Sequence, residues 1–187
     1  MGRYSALITE VSARKPKIIV EIGTWGGGHA EIMNNEASKY NSDVQYYGFD
    51  LFDDFVEFEK EFCDKGVAKY ERVMDKLSKY NVTLIRGNTH DTLPEFNVTP
   101  DFVFLDGGHS LETIASDWKN IDRISNTETS ILFDDYYHDK SDVGCKVLID
   151  ELSKNPNYSV TINSEIDSFK KDWGTLNIST VSVRKLV

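Results

Sequence analysis

Hydrophobic and polar positions follow two periods along this chain, and they alternate. The run Ile18-Ile-Val-Glu-Ile22 is apolar except for Glu21. Such a run reads as a strand buried on both faces, as in a parallel sheet. Gly23, Gly26, Gly27 and Gly28 follow at once, and then Ala30, Ile32, Met33, Ala37 and Tyr40 recur at helical spacing. Strand, glycine loop and helix make the first unit of a nucleotide-type α/β site, with a ligand at the carboxyl end of the strand. The alternation repeats. Val44 to Phe49 predicts a second strand ending at Asp50, Val82 to Arg86 a third, and Asp101 to Asp106 a fourth. A helix from Leu111, capped by Ser110, should bury Ile114, Ala115, Trp118 and Ile121. Ser130 to Phe133 is the fifth strand, and Val143, Val147, Leu148 and Leu152 mark the next helix.

The two ends and one long connection differ from this pattern. Residues 4–13 carry a weaker helical pattern, read as a lead-in helix covering the sheet, with Pro16 ending it. Residues 51–80 are longer than a plain strand-to-helix loop and read either as a lid or as a surface helical hairpin. Near the carboxyl end Tyr158, Val160 and Ile162 alternate with polar residues, as do Val181 and Val183. Period two with a polar face predicts half-buried antiparallel edge strands. The expectation is one α/β domain over residues 1–187, with five strands alternating with helices and a closing hairpin, seven strands in all.

Composition narrows the function classes. A hydrophobic fraction of 40% is ordinary for a soluble domain, and no apolar stretch is long enough to span a bilayer. The first residues lack a signal-peptide core, so a cytoplasmic protein without a preceding domain is expected. A net charge of −10 argues against a nucleic acid partner but suits a cationic cofactor and a divalent metal, and without a spanning stretch no membrane partner is expected. Cys63 and Cys145 have no metal-binding spacing and read as reduced thiols.

The candidate chemistry sits at the strand ends. From Gly23 the order G-T-W-G-G-G fits no dinucleotide fingerprint, and no P-loop Gly-Lys pair follows. What remains is Glu21-x-Gly23-x-x-x-Gly27. Asp50 ends the second strand at the spacing where a nucleoside-binding fold holds ribose hydroxyls, and Asn88 after the third strand is a candidate adenine contact. Asp106, Asp134 and Asp135 end two neighbouring strands and would repel one another without a positive partner. A hard divalent cation, Mg²⁺ or Mn²⁺, is the simplest such partner; a helix cap and a solvated side chain are the alternative.

Glu21-x-Gly23-x-x-x-Gly27 resembles the first motif of the class I S-adenosylmethionine-dependent methyltransferases. Leu105-Asp-Gly-Gly-His-Ser110 with Phe133-Asp-Asp-Tyr136 resembles the metal-dependent O-methyltransferases of the macrocin and mycinamicin type. The catechol and caffeoyl-CoA enzymes have the same metal layout. The resemblance covers roughly residues 15–155. It implies a Rossmann-like, mostly parallel sheet with helices on both faces and an antiparallel carboxyl-terminal hairpin. It implies S-adenosylmethionine held by Glu21, Gly23, Thr24, Trp25, Gly27, Asp50, Asn88 and Asp106. It further implies a metal on Asp106, Asp134 and Asp135, with His109 as the base that deprotonates a hydroxyl of a small molecule or sugar. The extra amino-terminal segment of many sugar enzymes is not seen, which leaves the acceptor open. A metal-independent methyltransferase and a non-catalytic cofactor-binding module are the competing readings, and a homodimer is left open.

Overall fold

The computed structural model describes residues 2–54, 67–172 and 174–187. Its centre is an eight-stranded sheet in the order β3-β2-β1-β4-β5-β8-β6, with β7 paired to β8 off this path. The first five strands are β1 (Ile18–Ile22), β2 (Gln45–Asp50), β3 (Asn81–Arg86), β4 (Phe102–Leu105) and β5 (Ser130–Tyr137), all parallel. The order runs outward from β1 to β3 on one side and from β4 to β5 on the other. That reversal opens a crevice at the carboxyl ends of β1 and β4, where ligands of such sheets bind.

Two apolar layers cover the sheet. On one face α1 (Ser5–Arg14), α2 (Gly28–Ala37) and α3 (Tyr70–Leu77) pack on Ile19, Tyr46, Phe102, Phe104 and Leu132. On the other, α5 (Leu111–Ile124) and α6 (Lys146–Leu152) pack on Val20, Ile22, Val103, Leu105 and Phe133. Adjacent residues of a strand fall in opposite layers, as the pleat requires. The short α4 (Thr89–Thr92) follows β3, with Asn88 as its cap.

The strand readings for β1 to β4 hold to within a residue or two, and β5 runs from Ser130 to Tyr137, beyond the expected end at Phe133. The carboxyl-terminal half needs correction. Among the described residues there are three strands after α6, not two: β6 (Tyr158–Ile162), β7 (Asp167–Lys171) and β8 (Gly174–Lys185), which bring the sheet to eight. Nor is β8 an edge strand. It lies between β5 and β6, antiparallel to both, and is buried from Ile178 to Val183. The fifth strand continues past Phe133 through Asp134 and Asp135 to Tyr137, with an irregular register between Phe133 and Tyr136. In α5, Ala115 is exposed and Asp117 is buried instead. The expected lid over residues 51–80, and Cys63 within it, fall partly outside the described residues; the described parts are a short turn at Phe52–Asp54 and α3. Cys145 is free and buried.

Candidate active site

Register brings the candidate residues together. Phe49, Ile22, Leu105 and Phe133 pair across β2, β1, β4 and β5 in one row. The next residues along, Asp50, Gly23, Asp106 and Asp134, therefore form the rim of the crevice. Gly23 has φ of +90°, and a Cβ there would lie 1.9 Å from the carbonyl oxygen of Asp106. Only glycine lets the two loops approach this closely. Gly27, at φ +69°, turns the chain into α2.

The nucleoside end of the crevice is built on Asp50. Its carboxylate accepts the backbone N–H of Trp25 at 2.7 Å and of Phe52 at 2.8 Å, which ties the glycine loop to the tip of β2. Each oxygen keeps a further acceptor position. Trp25 stands half-exposed on the loop at φ +42°. Thr24 is buried, its hydroxyl 3.1 Å from the Tyr46 hydroxyl. Tyr46 in turn donates to Glu21. Glu21 is fully buried beneath the loop, and its Oε1 has no hydrogen-bond partner among the described residues. Burial pushes its carboxyl up to about 8, against the pull of Tyr46 and His29. Asn88 is exposed, and its side-chain oxygen accepts from His90 N at 3.0 Å as a helix cap.

At the other end Asp106, Asp134 and Asp135 converge, with one oxygen of each within 4.8 Å of the others. Every member has a basic neighbour. Asp106 lies 3.3 Å from His29 Nδ1, at the first turn of α2. Asp135 lies 2.8 Å from His109 Nε2. Asp134 accepts Arg3 Nε at 2.7 Å, the second Arg3 nitrogen at 3.0 Å and the Tyr4 hydroxyl at 2.8 Å. Strand parity explains this sorting. Leu132 faces the α1 layer, so Asp134 does too, and Arg3 and Tyr4 precede α1. Asp135 sits at the irregularity with φ +57° and pairs with His109, the residue before the Ser110 cap of α5.

The electrostatics follow from burial and these pairs. Burial, then the two neighbouring carboxylates, push Asp106 up to about 6, with His29 opposing. The hydrogen bond to Asp135 raises His109 against burial, and burial is overcome by His109 in holding Asp135 low. His29 is raised by Asp106 and Glu21 in spite of burial. Burial and the acidic neighbours hold the Tyr4 hydroxyl protonated, so that it donates to Asp134 while accepting from Arg3 at 2.8 Å.

The fit to the two expected groups differs. An unpartnered buried carboxyl oxygen under a glycine loop, beside a carboxylate able to accept hydroxyls, suits a nucleoside bearing a cationic amino-acid tail. A divalent metal on all three aspartates fits less well, because Arg3 already occupies Asp134 through both carboxylate oxygens.

Sequence reasoning missed Arg3, Tyr4, His29 and Asp117. Asp117 of α5 is buried on the crevice side, its Oδ1 without a partner among the described residues, and burial pushes it up to about 6. A polar residue at the helical spacing of a core position, seven residues after the Ser110 cap, was the available signal. Arg3 and His29 left no comparable trace, since their partners are distant in sequence.

Solved structures with the same fold are numerous. The O-methyltransferase TomG from Streptomyces achromogenes, involved in tomaymycin synthesis and solved with SAM, is 16% identical with a TM-score of 0.67, over 96% of this chain and 78% of that one. An O-methyltransferase from Bacillus cereus in complex with SAH is 16% identical with a TM-score of 0.68, over 96% and 79%. A putative rRNA-methylase from Clostridium thermocellum is 14% identical with a TM-score of 0.69, over 100% and 97%. At these identities the likeness is one of fold. No curated protein matches the chain. The methyltransferase domain family matches residues 20–136, from β1 through the Asp134-Asp135 pair, and so covers most of the crevice. The chain therefore belongs to the methyltransferase domain family.

Proposed function

We propose that this methyltransferase acts on a hydroxyl group of a small molecule or sugar, with His109 as the general base. The observation that carries the reading is the His109–Asp135 pair at 2.8 Å on the rim of the crevice. Asp135 accepts from Nε2–H, which fixes the tautomer and leaves Nδ1 as the basic nitrogen. It also raises the proton affinity of the ring. The side chain of His109 remains about half exposed, open to an acceptor.

The cofactor brings a methyl group on a sulfonium, already a good leaving group. The protein's share is alignment of the acceptor and removal of its proton. Asp50 holds ribose hydroxyls, and the loop Gly23, Thr24, Trp25 and Gly27 admits the cofactor close to the main chain. Glu21, raised to about 8 with one oxygen unpartnered beneath the loop, gives up its proton as the cofactor's ammonium arrives and then serves as its counter-charge. Asp117 and Asn88 flank the base-binding end. The net charge of −10 supports a small acceptor over a nucleic acid. A metal-dependent form of the same reaction draws support from the 4.8 Å cluster of Asp106, Asp134 and Asp135, and requires Arg3 to leave Asp134.

Turnover of S-adenosylmethionine to S-adenosylhomocysteine with a panel of sugar, aliphatic and phenolic hydroxyls tests the reading. His109→Ala should lower the rate about 10²–10⁴-fold while leaving cofactor affinity intact. The loss should be larger on an aliphatic hydroxyl than on a more acidic phenol. Near-wild-type rates on both would remove His109 from the mechanism.

A further inference from the structure

Three converging carboxylates need positive charge, and this chain supplies it from its own side chains. We infer that the Arg3 guanidinium is the resident cation of the Asp106–Asp134–Asp135 cluster, holding the place of a divalent metal, so that the site functions with no metal bound. The inference bears on the proposed transfer only through the charge present at the site.

Asp134 is the member of the cluster most deeply buried, its side chain 1% exposed. Its two oxygens accept Arg3 at 2.7 and 3.0 Å and Tyr4 at 2.8 Å. That uses three of its roughly four acceptor positions. The Arg3 side chain is itself 9% exposed and is held from both sides. Its other arm donates to Asp167 at 2.9 Å, and its backbone N–H donates to the same carboxylate at 3.3 Å. The guanidinium also lies 4.4 Å from the Tyr4 ring centre. A two-nitrogen grip on one carboxylate, anchored through a second, differs from a surface arginine that happens to lie nearby.

A divalent ion cannot share Asp134 with this arrangement at low cost. Mg²⁺ sits about 2.0–2.1 Å from its ligand oxygens. Arg3 nitrogens lie 2.7 and 3.0 Å from those same oxygens. Charges of +2 and +1 would then be crowded around one carboxylate. The other two aspartates have partners of their own, His29 and His109. Arginine keeps its charge throughout the working pH range, so this neutralisation is permanent. Arg3 is thus a positioning residue, which holds Asp134 and the start of α1 against the cluster.

Titration of Mn²⁺ into the full chain, followed by electron paramagnetic resonance of the free ion, reads occupancy without any turnover. Wild type and Asp134→Asn should leave the same fraction of Mn²⁺ free. Arg3→Ala should bind Mn²⁺ at least tenfold more tightly than wild type, and Arg3→Met, which keeps the apolar stem, should do the same. Wild-type binding that Asp134→Asn weakens tenfold or more would overturn the inference. So would a folded Arg3 variant, verified by circular dichroism, that gains no affinity. If neither Arg3 variant folds, the wild-type and Asp134→Asn pair decides alone.

Discussion

His109 can accept a proton only when its ring is neutral, and Asp135 makes the ring harder to deprotonate. The rate should therefore rise with pH through a midpoint above the ordinary histidine value of about 6.5. Asp135→Asn removes the charge and should move that midpoint down while lowering the plateau; a pH–rate profile reads both, and an unmoved midpoint would separate Asp135 from the base. Asp117 makes a prediction of a different kind. Burial raises its folded-state pKa from 3.8 to about 6. Stability from this group is therefore present below the unfolded value and lost as pH rises through the folded one. At pH 7 its buried charge is a cost on the order of 1–3 kcal/mol. Asp117→Asn should raise Tm by several degrees at pH 7, with the gain shrinking toward pH 4. Equal gains at both pH values would assign the effect to packing. The acidic rim was legible in the sequence because each aspartate ends an apolar run. Arg3 was not, because its partner Asp134 is 131 residues away and only the fold brings them together.

The glycine loop makes its prediction at the level of the element. A methyl at Gly23 would meet the Asp106 carbonyl at 1.9 Å and force the β1 and β4 loops apart. A methyl at Gly26 would meet nothing within 4 Å. Gly23→Ala should reduce cofactor affinity more than tenfold, or lower Tm by several degrees, while Gly26→Ala stays near wild type. Calorimetry and a thermal melt compare them, and equal effects would remove the close approach as the reason for Gly23. Strand β8 was the least legible element. Its alternating serines and threonines look like a solvent-facing edge, yet Ser179, Thr180 and Ser182 are all buried. Their hydroxyls are satisfied by partners from other elements: His138 at 2.9 Å, Asn163 at 2.9 Å and Glu10 at 2.8 Å. Buried polar groups with partners cost little, so polarity alone did not mark the edge. The neighbouring β7 is short and mostly exposed, which left it without a periodic signal.

For the molecule as a whole, the parallel half of the sheet sets where the chemistry can be, and the side chains on its rim set what it can be. Neighbours of this fold include O-methyltransferases and a putative rRNA-methylase, so the fold does not choose the acceptor. The choice rests on the acidic rim, the His109–Asp135 pair and the charge of −10. All of these readings depend on the cofactor lying across the tips of β1 and β2. Isothermal titration of S-adenosylmethionine and S-adenosylhomocysteine into wild type and Asp50→Ala measures this directly. This placement predicts binding to wild type, and a loss of about 1.5–3 kcal/mol in the variant, roughly tenfold to a hundredfold in Kd. Unchanged affinity in Asp50→Ala, or heat from NAD and none from S-adenosylmethionine, would contradict it.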